Sequence, residues 1–231
     1  MQTFKALGLL LTYPEGSLYR ASGEVVDLLR TEALLPKESI DAIDSFLSKQ
    51  KGRDLLEAQE EYVDTFDRGR AHCLHLFEHI HGESRDRGQA MVDLSETYAS
   101  KGLYINNNEL PDYLPLFMEY LSRCAFAEAS ALLGEAIDVI AMVGAKLRKT
   151  DSPYAVVFAA MEKLSAVKPD SKRVQEALAA SPKDPQTFAQ LDEQWREAEA
   201  FGGDPAAEAC NSCDSLVHSK REFEKWLEVS Q

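Results

Sequence analysis

Apolar residues recur at three- and four-residue intervals along most of the chain, and the two-residue alternation of a half-buried strand is nearly absent. Phe4, Leu7 and Leu11 are spaced for one face of a first helix, which Pro14 and Gly16 stop. Val25, Leu28 and Leu29 predict a second helix; Ile40, Ile43, Phe46 and Leu47 predict a third, closed by Gly52. Leu55, Leu56, Gln59, Tyr62, Val63 and Phe66 form the apolar stripe of a fourth, with acids opposite. Residues 71–80 read as a short helix. Gly82 breaks the pattern, and Ser84 can cap the next helix, whose face is Met91, Leu94 and Tyr98. Gly102 sits where a left-handed residue closes that helix. Pro111 fits the opening turn of another, with Leu114, Phe117 and Leu121 as its buried stripe. The longest helix is expected from Ala127 to Lys149, with Leu133, Ile137, Ile140 and Leu147 facing the core. The small residues Ala136 and Gly144 would let a neighbour approach it closely. Tyr154, Val157, Phe158 and Met161 mark one more helix, and residues 165–171 a linker.

An all-α fold follows: a single helical bundle over residues 1–180. The last fifty or so residues differ. Pro182, Pro185, Gly202, Gly203 and Pro205 punctuate a polar, acidic stretch, so 181–231 is expected to be a partly ordered tail with short helices. A final amphipathic piece is expected around Leu216, Phe223, Trp226 and Leu227.

Charge narrows the partners. The chain carries 39 acids against 25 bases, a net charge of −14 over 231 residues. Such a surface repels phosphate backbones, which argues against nucleic acid, and it favours a basic or amphipathic partner segment. No run of about 20 apolar residues exists to span a membrane, and the opening residues lack the pattern of a signal peptide. Cys73, Cys124, Cys210 and Cys213 are too few and too scattered for a disulfide scaffold. These features together predict a cytoplasmic protein.

Two segments hold the candidate chemistry. The first is FDRGRAHCLHLFEHIHGESRDRG, residues 66–88, with four of the five histidines. On one helix His72, His75 and His79 would share a face, and Glu78 and Glu83 could join them around a metal. The alternative is a polar groove whose histidines satisfy one another, and no HExxH or paired-cysteine pattern favours the metal. Arg68, Arg70, Arg85 and Arg87 could clamp carboxylates or phosphates, or pair with the adjacent Asp67, Glu83 and Asp86. The second segment is ELPDYLPLFMEYL, residues 109–121. Its prolines bracket Asp112, Tyr113 and Leu114, which predicts a loop leading into a rigid helix with an acid at its mouth. Asp112 can cap that helix, receive a basic side chain from a partner, or both. Cys210-Asn-Ser-Cys213 lacks the βαβ context of a redox motif and has only His218 nearby as a further zinc ligand. No nucleotide-binding loop, nucleophile elbow or distinct carboxylate pair appears, so neither an enzyme nor a bound cofactor is expected.

These two segments carry a resemblance. EEYVDTFDRGRAHCLHLFEHIHGESRDRGQAMVDL resembles the signature block of the NarJ family, the nitrate reductase molybdenum cofactor assembly chaperones or delta subunits. NELPDYLPLFMEYLS is similar to the family's second block, FKALGLLLTYP to its first helix, and the stretch from Asp192 through Trp195 to Gly203 to its tail. The family lies within the wider TorD/DmsD-like redox-enzyme maturation chaperones, all of them helical. The resemblance implies a system-specific chaperone that binds the N-terminal segment of the apo catalytic (alpha) subunit of a respiratory nitrate reductase. It would support molybdenum cofactor insertion before membrane attachment, with transient contact to cofactor biosynthesis proteins. In the wider class an acid-containing loop before a central helix is linked to client recognition. Glu109, Pro111 and Asp112 occupy the similar position, with Tyr113 where relatives outside this branch often have histidine.

The expected client-binding residues are therefore Glu109, Asp112, Tyr113 and Phe117 from the second block, with His75, His79, Glu83, Arg85, Asp86 and Arg87 from the first. Histidines titrating near neutrality in this block would make affinity pH-sensitive. Two competing readings are a helical metal-dependent hydrolase built on His72, His75 and His79, and a permanent structural subunit of a membrane redox complex.

Overall fold

A computed structural model describes residues 1–81, 86–105 and 109–180. The expected tail at 181–231, its amphipathic piece, the Cys210/Cys213 pair, the Gly82 break, the Ser84 cap and the asparagine run at 106–108 lie outside these residues. Among the described residues the regular structure is helical: α1 (Gln2–Leu9), α2 (Gly16–Arg20), α3 (Ser22–Glu32), α4 (Lys37–Lys51), α5 (Leu55–Phe66), a 3-10 turn (Arg70–His72), α6 (Leu76–His81), α7 (Asp86–Ser100), α8 (Leu114–Arg123), α9 (Phe126–Glu135), α10 (Ile137–Lys149), α11 (Ala155–Leu164) and α12 (Ser171–Ala180). The all-α class is as expected, and no described helix is long and apolar enough to cross a membrane.

The core is built around α1 and α10. Phe4, Leu7 and Leu11 are fully buried, and α1 lies along α8. The approach requires Gly8, where a Cβ would come 2.9 Å from both the Met118 Cβ and the Pro115 carbonyl oxygen. Helix α10 is buried on nearly every side, from Ile137 and Val139 through Ile140, Met142 and Val143 to Leu147. It packs on α11 and α12, and Gly144 accommodates Phe158, whose Cβ would lie 2.9 Å from an added methyl. An aromatic cluster joins α4, α5 and α11: Tyr154 lies 4.9 Å from Phe66 and 5.3 Å from Phe46 between ring centres. Rings at such tilted separations add to the stability of simple burial.

Several sequence expectations change. The long helix over 127–149 is two helices, α9 and α10, divided at Ala136. Both halves carry the apolar period, so the pattern passes through the bend without registering it. The 71–80 helix is a 3-10 turn, a short extended link and then α6. Pro111 lies before α8; the proline in the opening turn is Pro115, directly after Leu114. Leu55 and Leu56 point outward, while Ala58, Tyr62 and Phe66 form the buried side of α5. Helix α12 occupies residues that pattern reading leaves between linker and tail. It docks through Ala177 and through Arg173, whose guanidinium lies 3.3 Å from the buried Asp138 carboxylate. Gly102 has φ +73°, as its place after α7 requires.

Candidate functional site

The two chemistry-bearing segments meet. The link between the 3-10 turn and α6 runs antiparallel to the turn before α8, with His75 paired to Tyr113. The Leu114 N–H donates to the Leu74 carbonyl at 2.8 Å, and the Leu76 N–H donates to the Asp112 carbonyl at 3.0 Å. This pairing satisfies backbone groups that the openings of α6 and α8 would otherwise leave without partners. Tyr98, buried in α7, donates its hydroxyl to the Pro111 carbonyl at 2.9 Å and fixes the same turn from behind.

Asp112 is at the centre, with 0% exposure. Its Oδ2 accepts the Phe77 N–H at 3.0 Å, and its Oδ1 lies 3.2 Å from the His75 Nδ1. The Arg87 Nη2, in the first turn of α7, is 3.9 Å from Oδ2. A carboxylate so enclosed persists only when hydrogen-bonded and compensated, and these groups provide both. Arg87 gains as well, because a cation near a helix N-terminus opposes the helix dipole.

An aromatic path leads outward. The His75 ring lies on Tyr113 with centres 5.4 Å apart. The Tyr113 hydroxyl is 3.4 Å from that of Tyr62, which donates to the Leu11 carbonyl at 2.9 Å. Burial pushes the Tyr62 phenol far above its ordinary range. Tyr13 stands edge-on to Tyr62 at 5.6 Å and is half exposed. Leu9, Leu55 and Leu56 are also exposed, and Leu55 lies beside Gly16, the first residue of α2.

The remaining groups of the first segment face inward. His79 donates its Nε2–H to the Cys73 carbonyl at 2.8 Å. Burial holds its pKa down to about 4, with the Lys146 and His72 charges acting in the same direction. The expectation of a near-neutral titration therefore fails for His79. The Cys73 thiol donates to Glu78 at 2.8 Å, and burial together with that bond pushes it up to about 12, so it is no thiolate nucleophile. His72, His75 and His79 do not share one helical face. Among the described residues no three His, Cys, Asp or Glu side chains converge as metal ligands.

Of the expected residues, the structure brings together His75, Arg87, Asp112 and Tyr113. Phe117 is fully buried and belongs to the core. Glu109 and Asp86 are exposed. Glu83 and Arg85 lie outside the described residues. Three of the arginines have partners within the chain among the described residues: Arg68 with Asp64 at 2.9 Å, Arg70 with Glu78 at 3.8 Å, and Arg87 with Asp112. Sequence reasoning missed Tyr13 and the backbone N–H of Phe77. Tyr13 falls in the stretch similar to the family's first helix, but nothing there marks it as part of a site, and a main-chain donor leaves no trace in side-chain identity.

Comparison with known proteins agrees with these two segments. The sequence profile described as the nitrate reductase delta subunit matches residues 34–160, which contain both. The nitrate reductase molybdenum cofactor assembly chaperone NarJ of Escherichia coli K12 is 40% identical over 213 residues, covering 92% of this chain and 89% of that protein. The probable assembly chaperone NarW of the same strain is 36% identical over 221 residues, covering 96% and 92%. The probable NarJ chaperone of Bacillus subtilis is 29% identical over 170 residues, covering 70% and 89%. By this coverage and identity, the chain belongs to the nitrate reductase delta subunit family, whose members include the NarJ assembly chaperones.

Proposed function

We propose that this protein is an assembly chaperone for a respiratory nitrate reductase, one that captures the N-terminal segment of the apo catalytic subunit. It holds the apoenzyme competent for molybdenum cofactor insertion until membrane attachment, and it catalyses no reaction itself. The family's named members supply the chaperone role. One structural observation carries the mode of capture: the half-exposed Tyr13 connects through Tyr62 and Tyr113 to a polar end at His75, Asp112 and Arg87, and exposed Leu55, which Leu56 follows in the chain, lies beside Gly16, three residues after Tyr13. Amphipathic peptide helices dock in this manner, with apolar anchors along a groove and polar groups at one end fixing the register.

The energetics suit transient capture. Ordering a flexible segment costs about 2–5 kcal/mol of the gross interaction. A net free energy of about −8 kcal/mol corresponds to micromolar affinity, tight enough to hold the client and weak enough to release it. Release follows when the loaded client favours a form that the chaperone does not bind.

The test is calorimetric titration with a synthetic peptide from the N-terminus of a nitrate reductase catalytic subunit. Wild type is expected to bind near micromolar, and Tyr13→Ala and Leu56→Asp to weaken binding about tenfold or more without loss of fold. Binding unaffected by either change removes the groove from this face. Absence of binding in wild type overturns capture of the N-terminal segment.

A further inference from the structure

We infer that Asp112 is a positioning residue, which fixes the His75 ring with its proton on Nδ1 and so presents an unprotonated Nε2 to a hydrogen-bond donor on the client. This rests on the client reading above and adds what that site recognises.

The geometry gives the tautomer. Asp112 is fully buried, so it touches no client directly. An ionised carboxylate only accepts hydrogen bonds. With Oδ2 taken by the Phe77 N–H, the contact from Oδ1 to the His75 Nδ1 at 3.2 Å requires the proton on Nδ1. A neutral imidazole has one ring proton, so Nε2 is then an acceptor. The His75 side chain is 28% exposed, and its ring is held against Tyr113. Among the described residues no hydrogen bond to His75 Nε2 is present, so that lone pair is available. Among the described residues, the charged groups around the dyad and its Tyr113 neighbour include Arg87, which faces Asp112 from α7, Asp67, which acts on His75 from the end of α5, and Glu109, which acts on Tyr113. The pairing thus presents an acceptor suited to an amide N–H or a basic side chain. A client carboxylate, itself an acceptor, is disfavoured there.

Asp112→Asn reverses the arrangement. The Phe77 N–H can only donate, so it claims the single carbonyl oxygen of the amide. The amide NH2 then faces His75 Nδ1, which must accept, and the ring proton moves to Nε2. An acceptor site becomes a donor site while the fold keeps its hydrogen bonds.

The experiment uses the full chain with 15N-labelled histidine. Long-range proton–nitrogen correlation at about pH 8, where an ordinary imidazole is neutral, should place the His75 proton on Nδ1 in wild type and on Nε2 in Asp112→Asn. In parallel, the same catalytic-subunit peptide is titrated into wild type, Asp112→Asn, His75→Gln and the double variant. Glutamine can place an amide oxygen near the Nε2 position without help from Asp112. Asp112→Asn is expected to weaken binding about tenfold, whereas adding it to His75→Gln should cost little further. A wild-type proton on Nε2, a tautomer unchanged by Asp112→Asn, or an equal loss of binding in the His75→Gln background would each overturn the proposal. Failure of wild type to bind the peptide would overturn the client half through the titration. The tautomer half stands or falls on the spectra alone.

Discussion

At His79 the protein holds an imidazole neutral, with its pKa near 4 against an ordinary 6.5. The unfolded chain therefore binds a proton that the folded chain refuses as pH falls from about 6.5 to about 4. Stability from this residue is complete above the upper value, declines through that window by about 3 kcal/mol, and is level below it. Urea denaturation across this pH range checks the slope. His79→Gln, which can still donate to the Cys73 carbonyl, should flatten it; equal slopes in both proteins would assign the decline elsewhere. Ala33 offers a change in the other direction. It closes α3 with φ 52° and ψ 30°, a left-handed conformation that costs a side-chain-bearing residue about 1–2 kcal/mol. Ala33→Gly is expected to stabilise by about 0.5–1 kcal/mol once the greater freedom of glycine in the unfolded chain is subtracted, measured as a shift in denaturation midpoint.

The helices themselves were legible where an apolar stripe coincided with a stop signal. Gly102 ends the pattern that contains Leu94 and Tyr98, as the structure has it, whereas α1 already ends at Leu9, well before Pro14, and Gly16 opens α2. Boundaries failed where the stop carried no such signal. Ala136, with φ −94° and ψ 0°, divides two helices using a residue that favours helices, because the direction of α10 is set by its burial among its neighbours and not by local propensity. Close helix approaches supply a test at this scale. Gly8→Ala should force α1 from α8, since the new methyl meets backbone at Pro115, and destabilise by about 1–3 kcal/mol. Asp138→Ala should release α12 by removing the acceptor of both Arg173 and the Asp170 N–H, the latter at 2.8 Å. Amide exchange within residues 171–180 should then quicken while that of α10 changes little. Uniform quickening throughout would mean that α12 is integral to the core.

For the molecule as a whole, the sequence located the candidate site but not its construction. Its two segments were distinguishable by composition and by their family resemblance, and they do come together. That Asp112 would be wholly enclosed, that Phe117 would be core and that His79 would turn inward all depend on how α6, α7, α8 and α10 assemble. Periodicity along one helix contains nothing of that. The histidine spacing likewise suggested a shared face, and the extended link between the 3-10 turn and α6 dissolved it.

The paired strands of backbone at His75 and Tyr113 have a bearing on biosynthesis. His75 and Asp112 stand 37 residues apart in the chain. As the polypeptide is made from its N-terminus, the histidine segment emerges and waits through the synthesis of α7 before its carboxylate partner exists. No fragment ending before α8 can hold the ring in place, and neither segment supplied as an isolated peptide should imitate the whole. The His75–Asp112 pairing thus arises only once the chain has reached about its midpoint, with α9 to α12 still to follow, and on the proposed reading a nascent copy engages no client before then.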